Sequence, residues 1–329
     1  MRCPQVPGTS GFDQVACVRI RLAAVGSLFS REVIYSCQNL QGLLSLCHVS
    51  TTFRRSSMIK LATMTSVCPD WTLEETIAAM KRYGYTGLEP RVEWGHKSGI
   101  EADLTSAQRR DIRQRLEGEG LSCCCISTGV RLATPDADER AADIETLRKY
   151  IDLAMDMGAP YVRTFGGAHA TDRDFPVVVE YTAEGYRQII DQAEAANVTV
   201  LFETHDSWCD SSPVAGVLEL VDSPNVQALW DLLHPMRRME KPTTTMEALG
   251  KYTRHTHGHD GMIVGDAIVV CELGGGQFDH AEPLHLLHDA GYDGYFSVEV
   301  IHEPGSEHDA EGVLKQYAEE FRRIMAGRE

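Results

Sequence analysis

Val200-Leu201-Phe202-Glu203-Thr204-His205-Asp206 decides how this chain is read. With Val198, the apolar residues up to Phe202 describe a buried strand, and that strand stops abruptly at a carboxylate, a hydroxyl and an imidazole. The design recurs three times downstream. The run 226–230 leads into Asp231 and His234, the run 252–256 into His257, and the run 295–298 into Glu299. Spacings of 28, 26 and 42 residues between Glu203, Asp231, His257 and Glu299 leave room for a crossover helix between successive strands. Parallel strands joined in this way bring the four side chains to one end of a sheet. A lone Glu, Asp or His at a strand end is most often a solvated or capping group. Four of them in phase are expected to form a metal site, and two Glu, one Asp and one His suit one divalent ion such as Mn, Mg, Co or Zn.

From Met58 onward the alternation of strand and helix is regular. Residues 59–64 read as a first strand, and Thr72 with Glu75 forms a capping box that opens a helix through Tyr83, stopped by Gly84. A second strand, 86–92, carries Glu89 and Arg91. A helix then runs from Thr105 to Gly118 or Gly120, and a third strand covers 121–127. The helix over 138–157 places Ile144, Leu147, Ile151 and Met155 at spacings of three and four, and Gly158 ends it before a fourth strand, 161–165, which bears Arg163. One more helix, 177–196, leads into the Glu203 strand, and later helices are expected at 213–221, 245–250, 281–290 and 309–325. The 272 residues from 58 to 329 are close to the roughly 250 of a (β/α)8 barrel, whose active sites sit at the C-terminal ends of the strands. An open doubly wound sheet is the competing architecture, but it usually carries a Gly-rich turn after its first strand, and residues 65–71 contain no Gly.

Residues 1–57 have a different composition. They hold six Arg, no Lys and two acids, Asp13 and Glu32, a charge of +4 that leaves −21 for the remainder. We expect an N-terminal extension with little fixed structure, either an over-long reading frame ahead of a true start at Met58 or a targeting segment, and a single domain over 58–329. No apolar run approaches bilayer length, and a net charge of −17 opposes binding to a phosphate backbone. Neither membrane nor nucleic acid is therefore an expected partner. The ten cysteines, including Cys123, Cys124 and Cys125, show no Cys-x-x-Cys spacing and read as reduced, cytoplasmic thiols.

The motifs Glu203-Thr-His205, Asp231-Leu-Leu-His234, His257-Gly-His259-Asp260, Gly274-Gly-Gly-Gln-Phe-Asp279 and 290–299, which ends in Ser297-Val298-Glu299, occur in an order that resembles the xylose isomerase-like sugar phosphate isomerase/epimerase superfamily. The resemblance covers most of 58–329. It implies a TIM barrel with one divalent metal held by Glu203, Asp231, His257 and Glu299, and a substrate contact at His234. One departure is visible: His259 stands where the family often has Lys, so no lysine role is carried over.

The chemistry follows from the residue types. A metal chelated by a hydroxyl and a neighbouring carbonyl acidifies the C–H between them and stabilises the enediolate. Glu203 and Glu299 are the expected acid/base pair. The substrate is expected to be a small carbohydrate, a keto-sugar or sugar phosphate, and homo-oligomerisation is left open. Glu89, Arg91 and Arg163 are candidates for substrate contact, although an internal salt bridge explains them equally well, and His205 and His259 are weaker candidates. Gly274–Gly276 reads as a turn sooner than a phosphate cradle, and His96 as solvated. A dehydratase or lyase of the inosose or dehydroshikimate type would use the same ligands. An apurinic-site endonuclease would need further histidines from the second and third strands, which end here in 89–92 and at Ser127-Thr128. A non-enzymatic sugar-binding module would not require a metal flanked by two bases.

Overall fold

The computed structural model describes residues 58–168, 174–265 and 267–328, so the expectation for 1–57 lies outside the described residues. Strand β1 (Lys60–Met64) is followed by helix α1 (Leu73–Tyr83), where the Thr72 hydroxyl accepts from the Glu75 amide and the Glu75 carboxylate accepts from the Thr72 amide. Gly84 closes α1 at φ 77°, a left-handed conformation without Cβ strain in glycine. A second reciprocal cap, Thr105 with Gln108, opens α2 (Ser106–Gly118) after β2 (Gly87–Glu89). Next come β3 (Ser122–Cys123), β4 (Ile126–Arg131), α3 (Ala137–Met157), β5 (Tyr161–Phe165), α4 (Phe175–Arg187), α5 (Ile190–Ala196) and β6 (Thr199–Glu203). The chain continues through α6 (Ser211–Val221), β7 (Val226–Asp231), α7 (Leu233–Arg237), α8 (Pro242–Leu249) and β8 (Thr253–Gly258). It then forms a hairpin of β9 (Asp260–Val264) and β10 (Ala267–Cys271), followed by α9 (Ala281–Asp289), β11 (Tyr295–Val298) and α10 (Ala310–Met325).

Nine parallel segments pair in the order β3-β2-β1-β11-β8-β7-β6-β5-β4. β3 and β4 fill one barrel position between them. Arg91 bridges to Ser127, the Ser127 amide donates to the Pro90 carbonyl (2.9 Å), and the Val92 amide donates to the Ser127 carbonyl (3.0 Å), which closes the ring. The third strand expected over 121–127 is thus interrupted at Cys124 and Cys125. Pro90 accounts for the break, because proline has no N–H to continue the ladder beyond β2. Eight positions ringed by helices make the chain an α/β protein with the (β/α)8 TIM-barrel fold.

Two further differences have local causes. The helix expected over 177–196 is two helices, since the amides of Gln188 and Ile189 step to carbonyls three residues back, Gly185 (3.3 Å) and Tyr186 (3.2 Å), and tighten the last turn of α4. The β9–β10 hairpin was not anticipated. Its strands are apolar on both faces and so lack the period-two alternation that marks a half-buried strand. No helix among the described residues is long and apolar enough to cross a membrane.

The core lies between barrel and helices, and it reaches the site through β11. Phe296 is fully buried and stacks on Phe321 of α10 with ring centroids 5.3 Å apart at 10°. Gly258 leaves room for that ring, because a Cβ there would lie 1.9 Å from it. Phe296→Ala should therefore lower unfolding free energy by about 3–5 kcal/mol, the usual cost of emptying an aromatic core position, as read from urea midpoints.

Candidate metal centre

Glu203 ends β6, Asp231 ends β7, His257 is the last residue but one of β8, and Glu299 follows β11 directly. Strand register sets His257 beside Asp231 on one flank and beside Ser297 on the other. The structure brings all four together: one donor atom from each lies within 4.8 Å of the others. Glu203, Asp231 and His257 are fully buried, and Glu299 is nearly so. Asp231 Oδ1 accepts from the amides of Leu233 (2.9 Å) and His234 (2.8 Å), which turns Oδ2 toward the cluster. Asp231 Oδ2, Glu203 Oε2 and Glu299 Oε2 make no well-aligned hydrogen bond among the described residues, although His259 Nδ1 (3.4 Å), Arg163 Nε (3.3 Å) and His257 Nδ1 (3.1 Å) lie near them. Buried carboxylate oxygens so loosely partnered and so close together are favourable places for a further cation. Three of them around one imidazole are the donor set that a divalent ion of mixed oxygen and nitrogen preference takes, so the residues fit the ion inferred from the sequence.

The layer beneath orients these donors. His257 Nδ1 faces the cluster, 2.8 Å from Glu203 Oε1 and 3.1 Å from Glu299 Oε2. Its Nε2 is 2.8 Å from Glu89 Oε1, and the other Glu89 oxygen is 2.8 Å from His255 Nε2. Ser127 Oγ also donates to Glu89. A carboxylate behind an imidazole fixes its tautomer and leaves the opposite nitrogen as a ligand. Glu89 is thus held under His257 with both oxygens engaged, away from the open mouth. Burial opposes its charge, yet the His257 and His255 imidazoles hold its carboxyl well below the usual carboxylate range. Burial also opposes a cationic His257, but Glu299, Glu89 and Glu203 push its pKa well above the ordinary histidine value. At Glu299 burial is outweighed by His257 and Arg163, and the carboxyl falls to about 2.

Arg163, on β5, spans the two glutamates: Nε lies 3.3 Å from Glu203 Oε2 and Nη2 lies 3.6 Å from Glu299 Oε1, while Nη1 donates to the Thr128 carbonyl (3.0 Å). Arg91 faces another way. It donates to the Val92 carbonyl (2.7 Å), pairs with Glu93 at 3.5 Å and lies 4.3 Å over the Trp94 ring. Above the cluster stand three imidazoles in a row. The His205 and His234 centroids are 4.6 Å apart, those of His234 and His259 are 5.4 Å apart, and both contacts are edge-on. His259 Nδ1 is 3.4 Å from Asp231 Oδ2. Burial lowers the His259 pKa, but Asp231 outweighs it and the net shift is upward, whereas burial pushes His234 down to about 3. Asp231→Ala and His257→Ala should each lose tight divalent-metal binding, and with it any metal-dependent rise in melting temperature. Elemental analysis after dialysis, with melts in the presence and absence of Mn, checks both.

Three features near the site escaped the sequence reading. His96, expected to be solvated, is only 5% exposed: Nδ1 lies 2.8 Å from Thr65 Oγ1, and the loop is pinned where the Lys97 amide donates to the Pro69 carbonyl (2.8 Å). A glycine-bearing loop carries no sign of what it folds against. His255 did carry a signal, because His255, His257 and His259 alternate and so share one face. At Gly274–Gly276 the amides of Gly274 (2.9 Å) and Gly276 (3.1 Å) donate to Asp260 Oδ2, so the chain's own buried carboxylate occupies the cradle. Burial, with Arg91 nearby, lowers the His96 pKa to about 4. The unfolded chain then takes up a proton below its own pKa of about 6.5 that the fold refuses, so this contribution to stability is full above about 6.5 and is lost as pH falls toward 4. His96→Gln should shrink the difference between urea midpoints at pH 7 and pH 5.

Comparison with known proteins agrees with the barrel fold. A family model described as "Xylose isomerase-like TIM barrel" matches residues 77–324. No curated protein matches. Among solved structures, the IolI protein with a binding zinc atom superposes with a TM-score of 0.72 at 15% identity, over 82% of this chain and 99% of that one. L-ribulose 3-epimerase gives 0.68 at 17% identity, over 82% and 96%. The probable 3-DHS dehydratase AsbF from Bacillus anthracis gives 0.66 at 18% identity, over 80% and 98%. At these identities the likeness is one of fold, and the family assignment rests on the model match: the chain belongs to the xylose isomerase-like TIM-barrel family.

Proposed function

We propose that the protein is a divalent-metal-dependent isomerase or epimerase of a keto-sugar or sugar phosphate. The observation that carries this reading is the pair Glu203 and Glu299, both buried within the four-donor cluster and each with an oxygen that makes no well-aligned hydrogen bond among the described residues. A bound divalent ion would polarise a carbonyl and hydroxyl presented to it and acidify the C–H between them. Glu203 and Glu299 reach the cluster from the fifth and eighth barrel positions, so one carboxylate can take a proton from carbon while the other returns one from another direction. Arg163 holds both glutamates in place. His234 and His259, at the mouth, are positioned to hydrogen-bond substrate oxygens, and His205 borders them. Glu89 serves as the support of His257 in this scheme, and Arg91 shapes the rim.

Asp260 already fills the glycine cradle, which favours an unphosphorylated sugar over a phosphate bound there. The six described cysteines are unpaired and five are buried, as suits a reducing cytoplasm. Dehydration of a keto-sugar or keto-cyclitol is the second reading. It is favoured by His259 at the mouth, beside Asp231 and so placed to hand a proton to a leaving hydroxyl, and a dehydratase is among the similar folds. Glu203→Gln should lower turnover by about two to four powers of ten, the usual worth of a general base, while some metal is retained. With metal-loaded enzyme and a panel of ketoses, ketose phosphates and inososes in deuterated water, proton NMR should show deuterium on the carbon beside the substrate carbonyl. Turnover without incorporation, with products of hydride transfer or hydrolysis, overturns the reading; loss of water selects the dehydratase.

A further inference from the structure

Two guanidinium groups at the barrel rim have no part in the scheme above. Arg131 is the last residue of β4, so it stands at the C-terminal end of the barrel, where the four donors also converge. Its stem lies along Gly167, where a Cβ would come within 2.8 Å of Arg131 Cδ, and Gly167 has φ 79°, which glycine adopts without strain. The guanidinium is held 5.2 Å from the centroid of the Phe165 ring. That ring is shared. Arg163 lies 5.0 Å from the same centroid, and the His205 ring lies 4.9 Å from it. Arg131 and Arg163 are therefore no more than about 10 Å apart, and Arg163 lies against Glu203 and Glu299.

Arg131 is exposed, and among the described residues no carboxylate pairs with its guanidinium. Asp143 accepts from its backbone amide instead (3.4 Å). Asp206, close enough to feel the charge of Arg131, is already engaged by His205 Nδ1 (2.9 Å). Arg237 stands at the far end of the turn that begins at His205. Its Nη2 donates to Cys209 Sγ (3.3 Å), and it too pairs with no carboxylate among the described residues. Residues 58–329 carry a charge of −21, and a domain so acidic repels an anion unless local cations reverse the field where it enters.

We propose that the substrate carries a carboxylate at the end remote from its reacting carbons and that Arg131 binds it, which makes the substrate class a keto-sugar acid. The inference rests on the reading of the metal centre as an isomerase or epimerase site. A guanidinium edge presents two parallel N–H groups that match the two oxygens of a carboxylate. A phosphate would look for helix amides, but those that open the helices after β4 and β6 are taken, by Asp136 at α3 and by Glu240 at α6. The span also fits. A carboxylate four carbon–carbon bonds from a C2 carbonyl lies about 5 Å further along an extended chain. A charge-assisted hydrogen bond adds about 3 Å, so a six-carbon acid bridges a gap of this order. Arg237 adds attraction from the far end of the turn.

Matched substrates test the inference with the manganese-loaded full chain in deuterated water, read by proton NMR. Fructuronate and tagaturonate carry C6 as a carboxylate, and they are set against fructose, tagatose and the 6-phosphates of both. The acids should exchange carbon-bound hydrogen with kcat/KM about ten- to a hundredfold above the uncharged ketoses, the worth of a charge-assisted pair. Arg131→Gln should erase that preference, chiefly by raising KM for the acids, with manganese stoichiometry and the melting transition unchanged. Arg131→Lys should restore part of it. Ketoses that exchange as well as their acids overturn the inference and leave the isomerase reading standing, and so does a preference for the 6-phosphates. An acid preference that survives in Arg131→Gln overturns the assignment to Arg131. Acids that do not exchange overturn the inference as well, and the reading of the site falls with it only where the neutral and phosphorylated ketoses are also inert.

Discussion

Everything at the barrel mouth depends on how four buried carboxylates are held. Glu89, Glu203, Asp231 and Glu299 are each at most 5% exposed, and an isolated carboxylate in such a place would sooner take up a proton than stay charged. Alternation of sign offsets that cost. Glu89 lies between His255 and His257, His257 lies between Glu89 and the pair Glu203 and Glu299, and Arg163 spans that same pair. β2, β5, β6, β7 and β8 each contribute, as does the residue after β11, and a closed ring of parallel strands is what brings so many strand ends to one point. Removal of one member leaves another charge buried and unpaired, so the set is held as a unit.

The network also divides the mouth into two tiers. Below, Glu89, His255 and Ser127 are fully buried and engaged with one another, and their effect is to aim His257. Above, His205, His234 and His259 surround the cluster with ring nitrogens that have fewer partners. Rigidity below and spare hydrogen-bonding capacity above are what a site needs if it is to hold a small polar molecule without letting its own side chains drift.

The barrel was legible in the sequence because its evidence is local and repeated. Capping at Thr72, the glycine stops at Gly84 and Gly158, and strands that end in Glu203, Asp231, His257 and Glu299 are each visible within a few residues. What was not legible depends on contacts distant in sequence. Glu89 sits 168 residues from His257, so nothing near it announces that it is to hold that imidazole. His96 is buried by Thr65 and the fold of its own loop, and the break in the third strand is caused by Pro90 on a different strand. The β9–β10 hairpin was obscured for another reason. Its apolar residues face both ways, and periodicity is informative only where one face is wet.

The junction between β2 and the third barrel position is the least continuous in the ring. It has two registered pairs, a gap at Pro90 and a single bridge from Arg91 to Ser127, whereas every other junction shares three or four registered pairs. It is the seam of the barrel. Glu89 stands on one lip and Ser127 on the other, and the hydrogen bond between them is a stitch across the gap. The same Glu89 grips His257 from below. A parting of the seam therefore withdraws the seat of His257, and whatever pins His257 from above acts as a rivet that keeps the barrel shut.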